Sequence, residues 1–278
     1  MPYRLVLGYR VCQIGVVSQQ NRPTGAQHHT SRHHVMISSR IEVLPDKAAI
    51  VARSLDLVVK RIQSAIAEKE VCTISLAGGS TPKPLYEALA NQPINWEALH
   101  VFWGDERYVA PDHPDSNQRM VRQAWLDKVP IPAANIHPIP TDTDNPQASV
   151  DQYEIVLQDF FGVEAGEFPQ FDIMLLGMGD DGHTASLFPH TPALQVSDRL
   201  VTLGEKGGQT RISLTAPLIN RAQCIIFMVS GSDKAPALTQ VLRKDTTVDT
   251  DTYPARLVQS KGELWWLVDE PAAAQLRR

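Results

Sequence analysis

Residues 171–176 (Phe-Asp-Ile-Met-Leu-Leu) form a short apolar run that breaks abruptly at Gly177, Gly179 and Gly182. Asp180 and Asp181 stand between those glycines, His183 comes directly after them, and a renewed apolar stretch ends at Pro189. A run of this length and composition reads as a buried strand. A buried strand that empties into a glycine-rich polar loop constrains the fold strongly, because open parallel sheets place their ligands outside the carboxyl ends of the strands. His183 is therefore the residue expected to carry chemistry.

The same succession recurs along the chain. Pro45 and Asp46 open a helical pattern in which Ala48, Val51, Leu55, Val58, Val59, Ile62, Ala65 and Ile66 fall at helical spacing. Residues 71–77 read as a strand running into Gly78-Gly79-Ser80-Thr81-Pro82 and a helix, and residues 100–103 as a strand ending in Gly104-Asp105-Glu106-Arg107. A helix is expected near residues 120–126, an irregular stretch over 130–147 with its five prolines, and a helix over 150–161. Short strands are expected at 200–203 and 211–215, a helix from Pro217, a buried strand at 224–229 followed by Gly231 to Ala235 and a helix, and a last strand at 264–268. Strands alternating with helices predict an α/β, Rossmann-like fold: a mainly parallel sheet with helices on both faces and right-handed crossovers, in one domain over residues 38–270. Residues 271–278 read as a polar tail. Residues 1–37 show no sustained period and carry His28, His29, His33 and His34; they are expected to be a disordered extension, with Met36 as the true translation start.

Composition excludes several classes. The net charge of −5 and pI near 6.0 provide no concentrated basic surface for nucleic acid or an anionic membrane. No apolar run approaches the roughly 18 residues of a membrane helix. Three cysteines (Cys12, Cys72, Cys224) without a CxxC pair support neither a disulfide framework nor a structural zinc site, which fits a reducing, cytoplasmic compartment.

An anionic ligand would have to be met locally, and the strand ends offer the means. Backbone N–H groups and hydroxyls of Gly78, Gly79, Ser80 and Thr81 suit an anion at a helix start. Arg107 and Arg211 suit bidentate phosphate contacts, and Lys234 stands just after another strand end. Each admits a plainer reading: Ser80 or Thr81 as an ordinary N-cap, the arginines as salt-bridge partners, Lys234 as an exposed lysine. Together they predict a site for a phosphorylated small molecule. The phosphate-loop pattern GxxxxGK[ST] is absent, so nucleotide is not expected. Asp181 and His183 form the candidate catalytic pair: histidine titrates near neutrality and takes a proton from water, while a neighbouring carboxylate fixes its tautomer. The alternative is a histidine that merely hydrogen-bonds its own loop. His100, His113, His137 and His190 are expected to be structural. No ligand set has metal spacing, and neither metal nor cofactor is expected.

These residues resemble the 6-phosphogluconolactonase family. The matches are residues 76–82 (Leu-Ala-Gly-Gly-Ser-Thr-Pro), 103–107 (Trp-Gly-Asp-Glu-Arg), 115–117 (Asp-Ser-Asn), 177–189, Arg211 with Leu214 and Thr215, and 231–235 (Gly-Ser-Asp-Lys-Ala), in family order over roughly residues 40–268. The resemblance implies a sugar-phosphate isomerase/deaminase type of fold and hydrolysis of 6-phospho-D-glucono-1,5-lactone, a carboxylic ester hydrolase reaction of the pentose phosphate pathway, without metal. It implies that Ser80 with its loop, Arg107, Arg211 and Lys234 grip the 6-phosphate, that Asp105 and Asn117 belong to the substrate site, and that Asp181 orients His183 as general base. Asp105 and Glu106 are left open between helping catalysis and anchoring the arginines. The sister family, glucosamine-6-phosphate deaminase, has a glutamate five residues after the histidine and Tyr after the Asp-Glu pair; here those places hold Phe188 and Arg107. A non-catalytic sugar-phosphate sensor is the third reading, and lacks a helix-turn-helix pattern. The partner expected is the small phosphosugar lactone alone, with the chain a monomer or weak homo-oligomer.

Overall fold

A computed structural model of the chain describes residues 11–12, 39–244 and 248–276. The expected extension over residues 1–37 lies outside the described residues except for Val11–Cys12 (β1), which pairs antiparallel with Arg40–Leu44 (β2). Next comes the helix Lys47–Lys69 (α1), its N-terminus capped by the Asp46 carboxylate, which accepts from the Ala49 N–H at 2.8 Å. Ile50, Ser54, Leu57, Val58, Ile62 and Ala65 form its buried stripe.

The chain then alternates as anticipated: strand Cys72–Leu76 (β3), helix Lys83–Leu89 (α2), strands Leu99–Trp103 (β4) and Asp105–Arg107 (β5), helix Asn117–Ala124 (α3), strand Ile136–His137 (β6), helix Pro146–Phe161 (α4) and strand Ile173–Leu176 (β7). Strands Val201–Lys206 (β8) and Gln209–Leu214 (β9), one helical turn Ala216–Ile219 (α5), strand Cys224–Val229 (β10), helix Ala235–Val241 (α6) and strand Glu263–Asp269 (β11) complete it. The large sheet runs β1-β2-β11-β10-β7-β3-β4-β6 and is parallel throughout apart from the β1–β2 pair. Every residue of β3, β7 and β10 is buried, the continuous apolar content of strands covered on both faces.

That order fixes where a ligand can sit. From β3 the chain moves outward to β4 and β6; from β7, the neighbour of β3, it moves the other way to β10 and β11. Connections that leave adjacent strands in opposite directions open a crevice at their carboxyl ends. Buried Tyr86 and Tyr153 hold that end in shape. Each hydroxyl bonds both the N–H and the carbonyl of one strand-end residue, Ala77 and Trp103 respectively, at 2.6–3.1 Å.

Four features depart from the sequence expectations. Gly104 bends the chain so that β5 leaves the parallel sheet and pairs with β9 and β8 in a separate antiparallel sheet. The stretch expected to be irregular contributes the edge strand β6, and the helix expected from Pro217 is a single turn. Past β11 the chain is no simple polar tail: Ala272 and Ala273 are buried, and the Ala272 N–H is capped by Asp269 at 2.8 Å.

Candidate active site

The crevice is a cavity of about 440 Å³ lined by the loops after β3, β4, β7 and β10 and by the face of the small sheet. Gly78, Gly79, Ser80, Thr81, Asp105, Arg107, Asn117, His183, Arg211 and Lys234 all line it; Asp181 alone of the expected residues stands behind, in contact with His183.

The β7 loop is shaped by its glycines. A Cβ at Gly179 would lie 2.0 Å from Nδ1 of His183, so only glycine lets the imidazole fold back over the loop. The ring is then fixed: Nδ1 lies 2.5 Å from Oδ1 of Asp181, which also accepts the His183 backbone N–H at 3.1 Å. Oδ2 of Asp181 accepts from Lys206 Nζ at 2.9 Å. Burial would raise the Asp181 carboxyl, but the bonds from His183 and Lys206 outweigh it and hold the group well below the usual carboxylate range. The Phe188 ring tilts against the imidazole with centroids 4.5 Å apart. With Nδ1 engaged by a carboxylate, the other ring nitrogen is left for a water or a substrate proton. The loop's Gly177-Met178-Gly179-Asp180-Asp181-Gly182 has the GxGxxG spacing of a dinucleotide fingerprint, yet the loop leads into a Thr184–Leu187 bridge and no helix, so it lacks the context that motif requires.

Period-two alternation in the small sheet explains the cations. Arg107 of β5 stands directly opposite Arg211 of β9, and Asp105 opposite Ser213. Residues two apart share a face, so Asp105, Arg107 and Arg211 point into the cavity together while Glu106 and Ile212 point away. Like charges placed opposite one another destabilise a strand pair. Among the described residues neither guanidinium has a carboxylate within salt-bridge distance: Arg107 donates to the Asp115 carbonyl at 2.6 Å and Arg211 to Oε1 of Gln209 at 3.3 Å. Burial, and then the neighbouring Arg107, lower the Arg211 pKa. Two half-buried arginines side by side without a carboxylate form a seat for an anion.

Glu106 proves to be an anchor. Its carboxylate accepts from the N–H groups of Arg107, Asn117 and Gln118, each at 2.7 Å, and from Ser116 Oγ at 3.2 Å, which ties β5 to the start of α3. Burial raises its pKa against those amide bonds. Asn117 is thereby set against Gly78, where a Cβ would lie 2.0 Å from Oδ1 of Asn117, so the glycine loop can approach only because it is glycine. Asp105 lines the cavity while accepting from Ser186 Oγ at 2.7 Å. Ser80 and Thr81 make no side-chain cap to α2 and face the cavity. Lys234 also faces it, paired with Asp233 at 2.9 Å, and its loop is tied down by Asp269, which accepts from Ser230 Oγ at 2.5 Å and from the Gly231 N–H.

The sequence reading missed Lys206, Ser186 and Asp269. For Lys206 a signal was present: Gly207-Gly208 between two strand-like runs is a hairpin turn, and it places Lys206 at the tip beside Arg211's face. Ser186 and Asp269 act through contacts distant in sequence and carry no local pattern.

A parallel sheet that brings a histidine–aspartate pair and two half-buried arginines into one cavity at its switch point has the arrangement of α/β enzymes that act on a phosphorylated small molecule. The family model described as "Glucosamine-6-phosphate isomerases/6-phosphogluconolactonase" matches residues 45–266, and the chain belongs to that family. It is 57% identical over 236 residues to the 6-phosphogluconolactonase of Nostoc sp., covering 85% of this chain and 98% of the relative. It is 56% identical over 241 residues to the 6-phosphogluconolactonase of Synechocystis sp., covering 87% and 100%. The solved structure of 6-phosphogluconolactonase from Trypanosoma brucei superposes with a TM-score of 0.75 at 28% identity, covering 86% of this chain and 99% of that one.

Proposed function

We propose that the chain hydrolyses 6-phospho-D-glucono-1,5-lactone to 6-phospho-D-gluconate, the second step of the oxidative pentose phosphate pathway, as one catalytic unit over residues 38–270. The observation that carries this reading is the arginine pair Arg107–Arg211 in the same cavity as the Asp181–His183 pair. The anion seat takes the 6-phosphate, with Ser80, its glycine loop and Lys234 completing it, and Asp105 and Asn117 contact the sugar. Held there, the lactone carbonyl comes within reach of a water on His183. His183 takes a proton from that water as its oxygen bonds C1; the tetrahedral intermediate collapses by breaking the bond from C1 to the ring oxygen, which receives the proton back. Asp181 holds the imidazole in the needed tautomer and stabilises the imidazolium between the two transfers.

Phe188 supports the lactonase over the deaminase reading, since an aromatic ring packs on His183 where ring-opening chemistry would need a carboxylate. Among the described residues no helix is long and apolar enough to cross a membrane, and no group of three or more His, Cys, Asp or Glu side chains is placed to hold a metal. We place the enzyme in the cytoplasm, as a monomer or weak homo-oligomer that binds neither nucleic acid nor membrane.

The test supplies freshly generated 6-phosphogluconolactone to the purified protein and follows acid release above the spontaneous rate, with ammonia release from glucosamine 6-phosphate measured in parallel. Lactone opening without ammonia is the expected result. Ammonia without lactone opening would overturn the reading, and activity on neither would revive a sensor.

A further inference from the structure

We propose that Lys206, at the tip of the β8–β9 hairpin, is a positioning residue that locks Asp181 onto His183 and offsets the pull of that carboxylate on an imidazole proton when the enzyme is unoccupied. The inference rests on the lactonase reading for its kinetic part only.

Backbone geometry puts Lys206 there. Gly207 and Gly208 both have positive φ (58° and 77°), the conformation of a two-residue hairpin turn, and the turn pairs Lys206 with Gln209. Alternation along β8 sets Lys206 on the same face as Gly204, whose partner across the sheet is Arg211. A Cβ at Gly204 would lie 2.2 Å from the Ser186 carbonyl, so the histidine loop is pressed against this face and Lys206 reaches its far side. There Nζ bonds Oδ2 of Asp181 at 2.9 Å and lies 5.4 Å from the Phe188 ring centroid.

Each carboxylate oxygen thus has its own cation-bearing or N–H partner, Oδ1 to His183 and Oδ2 to Lys206, and the carboxylate cannot turn without breaking both. Lys206 is 44% exposed and does not line the cavity, so it is neither a substrate ligand nor a large source of stability. Its consequence is electrostatic. Asp181 alone would favour the imidazolium; a cation on the same carboxylate offsets that pull. The Arg211 guanidinium also lies over the Phe188 ring, 5.8 Å from its centroid, and Arg107, Asp105 and the Lys234–Asp233 pair line the same cavity as His183. The substrate phosphate neutralises the arginines on binding, whereas Lys206, outside the cavity, keeps its effect in both states.

The experiment compares wild type, Lys206→Met and Lys206→Arg in two readouts: the His183 ring titration by NMR without substrate, and kcat and KM for the lactone against pH. Lys206→Met is expected to raise the His183 midpoint and the acid limb of kcat by about half a pH unit, to lower kcat on that limb by up to about threefold, and to leave KM within twofold. Lys206→Arg is expected to restore both. An unmoved midpoint with unmoved kcat would overturn the proposal, and so would a rise in KM with an unmoved midpoint, which would make Lys206 a substrate ligand. A shifted midpoint in a protein that opens no lactone would leave Lys206 as assigned and remove the lactonase reading instead.

Discussion

Two histidine sites in this molecule share a residue type and little else. His183 sits beyond the carboxyl end of the central strand β7, touches a carboxylate and opens on a cavity. His137 sits on the edge strand β6, stacked on Phe102 at 4.3 Å and bonded to His100 at 3.2 Å between ring nitrogens, with Phe160 against both. Burial, and then His100, push the His137 pKa down to about 4, and burial lowers that of His100. The first imidazole rests against a carboxylate and opens on a cavity; the second is kept uncharged by burial and by its histidine neighbour. A histidine–aspartate contact is not sufficient either: His190 and Asp251 approach to 2.6 Å, but that histidine is 64% exposed. What separates them, among the described residues, is position on the sheet: the switch point brings His183 and its aspartate into one cavity with Arg107 and Arg211.

The largest effects should fall on one side of this contrast. His183→Ala is expected to lower kcat about 10²–10⁴-fold with the fold intact, whereas His137→Gln should leave kcat and KM unchanged. Loss below tenfold in the first, measured by lactone opening, would remove His183 from the chemistry. Asp181→Asn should lower kcat about 10²-fold. It should also move the acid limb to lower pH, opposite in sense to Lys206→Met, because it deletes the charge that favours the imidazolium.

Next come the arginines, on which the proposed anion site rests. Arg107→Ala or Arg211→Ala is expected to raise KM about tenfold to 100-fold with a smaller change in kcat, the range for losing a hydrogen bond to a charged group. Neither should lower Tm in the absence of phosphate, since each relieves a like-charge pair across the β5–β9 ladder. Inorganic phosphate should raise the wild-type Tm and raise that of the variants less; equal shifts in a thermal melt would place the phosphate elsewhere.

Much of this arrangement was legible in the residues. The strands β3, β4, β7, β10 and β11 announce themselves as apolar runs ending in glycine or acid, and the loops between them hold nearly every group that lines the cavity. What stayed illegible depends on pairing between distant segments. Three polar residues, Asp105 to Arg107, do not resemble a strand, and they become one because β9, about a hundred residues later, supplies the ladder. Until that pairing is known, Glu106 looks as much a site residue as Asp105; the alternation turns one outward to cap α3 and the other into the cavity. Lys206 had a local signal in the Gly207-Gly208 turn, which marks the hairpin but not its target. Its spacing from Asp181 along the chain conveys nothing, and only the hairpin register aims it.

The smallest effect tests the other histidine site, and its sign comes from linkage. An unfolded histidine titrates near 6.5, and folded His137 near 4. Between those values the unfolded chain binds the proton that the folded one refuses, so the stabilisation is complete above about pH 6.5 and is lost as pH falls towards 4. His137 is half-buried on an edge strand, so water screens part of the penalty and the loss should be modest, about 1–3 °C in Tm between pH 7 and pH 5. His137→Gln should flatten that slope, because glutamine keeps a hydrogen-bonding group beside His100 and takes up no proton. A wild-type slope in His137→Gln would place the acid sensitivity at another group and end the contrast between the two sites as a matter of charge.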